Sequence, residues 1–425
     1  MYLTDYEKSL LAGAEGEAKQ HAMQFLVDYG EALAADKFVE ISDATIGIFG
    51  KCPSKLLADR EFDSMNAVFS WANMASNKTF DEIPPSPIRR NMILAAIGDD
   101  DYYDTLGLRE AKPEYYEAVK AAHEFYHKLG INDCATCAPQ IVGHMPSRGE
   151  HTITGESSQV IFQNSVIGAR CNCESLITTG CAMLVGRTPN VGLHRDENRR
   201  GTHLIKVDKI PTELYEWDLL GYWIGKRIHT GVPVLEMDIP FVSMEAHKSL
   251  GASMCTSGLV DMYHIIGHTP EAGTYELAFG GNTPKEIIHY GAEEEAETLR
   301  KLNWATEKEV DTVLMGCPQY TIYQLGDMAK LLDGKKCRAR LYIMAPKVLI
   351  EQARTNGWAQ KIEESGAMLI SSVCMPMIQV WPDGLKVLAT DSGKMAHYLP
   401  STRPDVQIHM GSMEKCVDAA VTGLW

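Results

Sequence analysis

Positive charge is scarce in this sequence. Lys and Arg number 40 against 56 Asp and Glu, a formal net charge of −16. Phosphate contacts need clustered cations, so this balance argues against a nucleic-acid surface and against an anionic membrane surface. Long apolar runs are missing too: none approaches the ~18 residues that a transmembrane helix needs. The opening residues Met1 to Glu7 carry neither a basic n-region nor an apolar h-region. No signal peptide is therefore expected, and a cytoplasmic location is. There is no Walker signature, long-period repeat, low-complexity tract or flexible linker. Nucleotide binding is thus unsupported, and domain boundaries are soft. A regular cysteine framework is absent as well. The 11 cysteines are odd in number and irregularly spaced, which in a reducing compartment favours thiols and metal ligands over disulfides.

What remains is an ordinary globular composition, 45% hydrophobic and 23% charged over 425 residues. That length calls for two or three domains. Thr4 and Glu7 form a capping-box pair. From Gly16, residues Ala22, Phe25, Leu26, Tyr29 and Leu33 recur at helical spacing. Ala44 to Phe49 reads as a strand, and Pro84, Pro85 and Pro87 as a break. Pro113 opens a helix expected to stop at Gly130. Strands are expected at Leu204–Val207 and Val232–Met237, with helices at Glu174–Val185 and Glu213–Lys226. The C-terminal stretch alternates: strands at Val310–Met315, Ala339–Met344, Ala367–Ile370, Leu385–Ala389 and Val406–Met410, with helices opening near Thr321, Pro346 and Ser412. Such alternation predicts an α/β fold with mostly parallel sheets. The division expected is 1–142, 143–300 and 301–425, the first region carrying one key cysteine and the last carrying two.

Those cysteines are Cys137 in Thr136-Cys137-Ala138-Pro139, Cys317 in Gly316-Cys317-Pro318, and Cys374 in Ser371-Ser372-Val373-Cys374. The last two follow strand-like runs, where open α/β sheets carry their chemistry. Three converging thiolates can hold an iron–sulfur cluster and leave one iron for substrate. Taken singly, each is as readily a buried thiol. Cys134 and Cys137 have dithiol spacing, but their loop follows a helix rather than a strand, which weakens a redox reading. Cys52, Cys255, Cys337 and Cys416 read as core or surface thiols.

Between Glu150 and Asn198 small polar residues are dense. Ser157 is either a cap or a nucleophile, and no His/Asp partner shows at triad spacing. Arg170 either clamps a carboxylate or is a solvated charge. Asn164, Ser165 and Asn172 either orient a hydroxyl or close turns. His194 is a site candidate, whereas Arg195, Arg199 and Arg200 read as a salt-laced solvent face. Thr390-Asp391-Ser392-Gly393-Lys394 follows a strand and offers backbone donors, Ser392 and one lysine to an anion.

The strings TCAP (136–139), GEHTITGESSQVIFQNSVIGAR (149–170), GRTPNVGLH (186–194), GCP (316–318) and TDSGKMAHYLP (390–400) resemble the catalytic large subunit of the aconitase X family. The resemblance spans nearly the whole chain. It implies an aconitase-like multi-domain arrangement and a hydro-lyase that dehydrates a small anionic hydroxy acid. It implies an iron–sulfur cluster on Cys137, Cys317 and Cys374, and a small swivelling-domain subunit as partner carrying the serine base. Arg170, Asn172, His194 and Lys394 fall in matching motifs as candidate substrate contacts. Known activities in the family are dehydration of 5-phosphomevalonate and of cis-3-hydroxy-L-proline. Three departures fall where substrate would be held: Cys171-Asn172-Cys173 for Thr-Asn-Arg, Asp391-Ser392-Gly393-Lys394 for Asn-Ser-Ala-Lys, and Ser372-Val373-Cys374 for Asp-Thr-Cys. No second basic cluster is legible for a phosphate, which leans toward cis-3-hydroxy-L-proline or a similar acid. The alternative is a non-catalytic iron- or redox-responsive binding protein using Cys134, Cys137, Cys171 and Cys173.

Overall fold

The computed structural model describes residues 1–48, 90–95, 103–104, 106–111, 113, 116, 132–375, 381 and 383–425. The Pro84–Pro87 break, Cys52 and most of the helix expected at 113–130 lie outside them. Among the described residues three parallel sheets organise the chain, beside a separate antiparallel ribbon of Phe38–Glu40 and Arg187–Pro189. The first sheet runs Asn132–Asp133, Arg90–Ala95, Asp43–Ile48, Thr152–Thr154. The second runs Glu286–Tyr290, His203–Val207, Pro233–Glu236, His264–Ile265. The third runs Met368–Ile370, Arg340–Met344, Thr312–Met315, Val387–Thr390, Gln407–Met410. The α/β reading with mostly parallel sheets therefore holds.

The third sheet shows why the C-terminal pattern was readable. Thr312–Met315 and Val387–Thr390 are buried along their whole length, the continuous apolar run of a strand covered on both faces. Helices start where capping chemistry says they should. Thr4 caps Asp5–Leu11 in a full capping box, Thr321 does the same for Ile322–Leu332, and Ser412 caps Met413–Thr422. Each cap satisfies backbone N–H groups that the first turn leaves unpaired.

The middle sheet is covered by a helix pair, Leu214–Arg227 and Met244–Gly258. Their backbones touch. A Cβ on Gly258 would sit 1.8 Å from the Gly225 carbonyl oxygen, and one on Gly221 would sit 2.2 Å from that of Leu250. Small residues hold the two axes together and bury almost every position of Met244–Gly258. No helix among the described residues is long and apolar enough to cross a membrane.

Candidate active site

In the third sheet the chain starts at Thr312–Met315, moves outward through Arg340–Met344 and Met368–Ile370, and then returns to Val387–Thr390 on the other side. The crevice between Thr312–Met315 and Val387–Thr390 is a topological switch point, where open α/β sheets bind ligands. The two loops that flank it are Gly316-Cys317-Pro318 and Asp391–Lys394. Gly316 has φ +91°, and a Cβ there would meet the Met344 carbonyl oxygen at 2.2 Å. Only glycine makes the turn that delivers Cys317. Ser392 caps the helix Gly393–Thr402, accepting from the Met395 N–H at 3.1 Å, and its hydroxyl donates to the Cys317 carbonyl. One loop thus ties down the other.

Cys137, Cys317 and Cys374 are each partly open to the surface. Burial raises the Cys317 thiol well above the usual cysteine value, Lys394 works against that rise, and Cys374 and Cys137 both reinforce it. Cys374 and Cys137 therefore each lie within electrostatic reach of Cys317. Burial and Glu156 raise Cys137, while Lys394, the Gln319 backbone N–H and Lys248 favour its thiolate. Among the described residues no group of three or more His, Cys, Asp or Glu side chains is drawn together as a metal-holding set. The donor chemistry nonetheless fits an iron–sulfur cluster: three thiols from three loops, with Lys394 favouring the charged form of Cys137 and Cys317 and Lys248 that of Cys137. Buried amide groups without partners among the described residues stand close by in the chain. They are both polar atoms of the Gln140 side chain and the Gln319 Oε1 atom, and buried polar atoms are normally satisfied.

Lys394 is the hub of this centre. Its Nζ donates to Glu156 Oε1 at 2.8 Å and to the hydroxyls of Ser157 and Ser158 at 3.1 Å each. Burial opposes its charge, but Glu156, Cys317 and Cys137 raise its pKa well above the lysine norm. Lys394 is charged and its head is bound by protein groups. The backbone donors of its loop are taken likewise: Ser392 N–H by Thr390 Oγ1 at 3.2 Å and Gly393 N–H by Asp218 Oδ1 at 3.3 Å. Cys173 belongs to the same neighbourhood, since Asp261, Glu156 and Glu174 reinforce the effect of burial on its thiol and Lys394 opposes it.

Arg170 and His194 sit elsewhere. They line an open cavity of about 660 Å³ together with His151, Lys37, Asp36 and Asp196. Arg170 pairs with Asp196, and Arg195 with Asp36 at 3.2 Å. The Nδ1 atoms of His151 and His194 are 3.0 Å apart, so at most one carries a proton. Burial and the Arg170 and Arg199 cations push His151 down to about 4; burial and His151 push His194 down to about 3. Both are neutral near pH 7.

The remaining candidates have their polar groups committed. Asn164 Oδ1 accepts from the Cys171 N–H at 3.0 Å, and its Nδ2 donates to the carbonyls of Cys171 at 2.7 Å and Asp261 at 3.0 Å. Ser165 accepts from the Tyr263 N–H at 2.9 Å, and Asn172 accepts from the Leu193 N–H at 2.8 Å.

Two readings are corrected. Arg199 is not part of a solvent face. It is 1% exposed, gripping Glu271 at 2.7 Å and Asn164 Oδ1 at 2.9 Å, and only a bidentate partner of this kind makes such burial tolerable. The Cys137 loop follows a strand, Asn132–Asp133, too short to show periodicity in the sequence.

Sequence reasoning missed Lys248 and Asp218. Lys248 Nζ donates to the Gln319 carbonyl at 2.7 Å and Gln324 Oε1 at 2.8 Å. Asp218 is pushed up to about 8 by burial, with Ser253 opposing and Asp391 adding to the rise. Both lie on the glycine- and serine-rich helix pair, where no motif surrounds them; the one available signal was a charged residue inside an otherwise small, apolar helix face.

Comparisons with known proteins agree along the whole chain. Residues 1–197 match the family "Aconitase X first domain", 201–300 the second domain and 310–422 the third. A phosphomevalonate dehydratase large subunit of Methanocaldococcus jannaschii is 32% identical over 407 residues, covering 94% of this chain and 96% of that protein. A cis-3-hydroxy-L-proline dehydratase of Pseudomonas aeruginosa is 28% identical over 99% of this chain and 70% of its own. The crystal structure of Thermococcus kodakaraensis aconitase X in its holo form superimposes with a TM-score of 0.81 at 28% identity, covering 99% of this chain and 100% of that one.

Proposed function

Since the chain belongs to the aconitase X family, we propose that it is the large subunit of a dehydratase that removes water from a small hydroxy acid. Relatives named as dehydratases match it over most of its length. The observation that carries the reading is that Cys137 and Cys374 each act electrostatically on Cys317, with the buried Lys394 acting on Cys317 and Cys137. Cys137, Cys317 and Cys374 would hold an iron–sulfur cluster. When bound, such a cluster supplies a Lewis-acidic iron to the departing hydroxyl.

The chain's own groups prepare the site for that chemistry. Lys394 would offset the negative charge of the Cys137 and Cys317 thiolates, and Lys248 that of Cys137, in a poorly hydrated place. Glu156 fixes the Lys394 head at 2.8 Å and orders Ser157 and Ser158 around it. Ser157 and Ser392 present hydroxyls at this centre. Arg170 and His194 would receive an anion in the open cavity, a place separate from the three thiols. The Arg170–Asp196 pair must then exchange partners, which its exposed carboxylate permits: Asp196 is 69% exposed and Arg170 19%. Among the described residues no group at this centre serves as the base, so we assign removal of the proton next to the carboxylate to a small subunit, in line with relatives named as large subunits.

The charge pattern favours a non-phosphorylated acid. In the open cavity Arg170 and Arg195 already have carboxylate partners, as does Lys394 at the thiols; among the described residues Lys37 alone of the cavity cations has none, whereas a phosphate would call for several. The test is a reconstituted complex with a small subunit, offered cis-3-hydroxy-L-proline and 5-phosphomevalonate separately, with loss of water followed by mass. Turnover of the first supports the proposal in full. Turnover of the second alone would overturn the substrate assignment, and Cys317→Ala with wild-type turnover would overturn the role of the thiols.

A further inference from the structure

Lys248 is 3% exposed, and among the described residues no carboxylate lies within ion-pair distance of it. A cation held this way needs strong acceptors to be tolerated. Its acceptors all come from one stretch. Nζ donates to the Gln319 carbonyl at 2.7 Å, to Gln324 Oε1 at 2.8 Å and to the Pro318 carbonyl at 3.4 Å. Lys248 itself belongs to the helix Met244–Gly258, which covers the middle sheet. The middle region thus reaches across to grip the loop that carries Cys317.

Gln319 is the residue gripped, and it touches all three cysteine loops. It lies just beyond Cys317 and Pro318. Its backbone N–H favours the thiolate form of Cys137. Its side-chain Nε2 donates to the Val373 carbonyl at 3.3 Å, the residue before Cys374. Its Oε1 is buried with no partner among the described residues. One peptide therefore registers the three loops against each other, and one lysine holds that peptide in place.

We propose that Lys248 and Gln319 form a clamp that sets the mutual spacing of Cys137, Cys317 and Cys374 and so governs how tightly this centre retains iron. The inference rests on the reading that these three thiols hold an iron–sulfur cluster. Neither residue is a ligand; both act through the loops, as positioning residues. Lysine suits the task because its ammonium carries three donors and meets three carbonyl-type oxygens here.

The experiment compares wild type, Lys248→Met, Lys248→Arg, Gln319→Leu and Cys317→Ala, purified and reconstituted anaerobically. Iron and sulfide per chain, the visible and paramagnetic spectra, and the rate of iron loss to a chelator are read for each. Circular dichroism and thermal midpoints of the iron-free proteins report the fold separately. Lys248→Met and Gln319→Leu are expected to bind iron about 10- to 100-fold more weakly, as outer partners of metal ligands typically do, with altered spectra and an iron-free fold like wild type. Lys248→Arg should recover part of the loss by reaching the same carbonyls. Wild-type spectra and iron retention in both Lys248→Met and Gln319→Leu would overturn the clamp while leaving the cluster intact. If Lys248→Met fails to fold, Gln319→Leu alone decides. No iron uptake by wild type, or equal uptake by Cys317→Ala, would instead refute the cluster reading on which the clamp depends.

Discussion

Replacing Lys394 with methionine isolates the electrostatics of the buried centre. The side chain is 7% exposed and its partner Glu156 19% exposed. Burial favours the neutral acid of Glu156, yet Lys394 and Ser158 pull its pKa below the usual carboxylate value. Methionine keeps most of the volume and removes the cation, leaving a carboxylate with only the Ser158 hydroxyl at 2.7 Å and the Ser158 N–H at 3.3 Å. Breaking a buried pair from one side costs about 3–5 kcal/mol, because the remaining charge is uncompensated. At ~2–4 °C per kcal/mol for a domain of this scale, the midpoint of the iron-free chain should fall by roughly 6–20 °C. Glu156→Gln in the same background removes the orphaned charge, so the double variant should lose much less than the two single losses added together. Thermal melts and urea curves of the four iron-free proteins give the cycle. A Lys394→Met midpoint within ~2 °C of wild type, or strict additivity in the double variant, would refute the claim that a charged Lys394–Glu156 pair organises this centre.

Gly316→Ala should destabilise by more than about 1 kcal/mol, since φ is +91° and the new Cβ would meet the Met344 carbonyl oxygen at 2.2 Å. It should also lower iron uptake, because the Cys317 loop must shift; urea midpoints and iron content check both. Acid should weaken the fold through the imidazole pair. Unfolded histidines take up protons below about pH 6.5, whereas burial with nearby cations holds His151 to about 4 and burial with His151 holds His194 to about 3. The unfolded state then binds more protons across that window, so this contribution is complete above pH 6.5 and declines as pH falls toward 3. Thermal midpoints between pH 4 and 7 should drop more steeply in wild type than in His151→Gln/His194→Gln, and equal slopes would sink the assignment.

Much of this architecture is local and was legible in the sequence. Thr4 with Glu7, Thr321 with Gln324, and Ser412 start helices through bonds within one turn. The buried strands of the third sheet announce themselves as apolar runs because both faces are covered. The three cysteines and Lys394 stood out through loop context and through the family resemblance that the GCP and TDSGKMAHYLP strings carry. The helix Met244–Gly258 did not. Its Gly, Ser and Thr residues are weak helix formers, and they serve a contact that exists only once Gly225 lies against Gly258.

Placement is what tertiary structure alone decided. Arg170, His194 and Lys394 carry similar chemistry in a string of letters, yet the fold sends Lys394 to Glu156 and the thiols, and Arg170 and His194 to an open cavity. Arg199 reads as a solvated charge beside Arg200, and becomes a buried bidentate partner because Glu271 arrives from a distant segment. Lys248 and Gln319 are unremarked residues until a helix from one sheet meets a loop from another. Periodicity and caps act over a few residues and can be read along the chain. Ion pairs across long sequence separations depend on which segments the packed sheets bring together, and the order of residues does not encode that one position at a time.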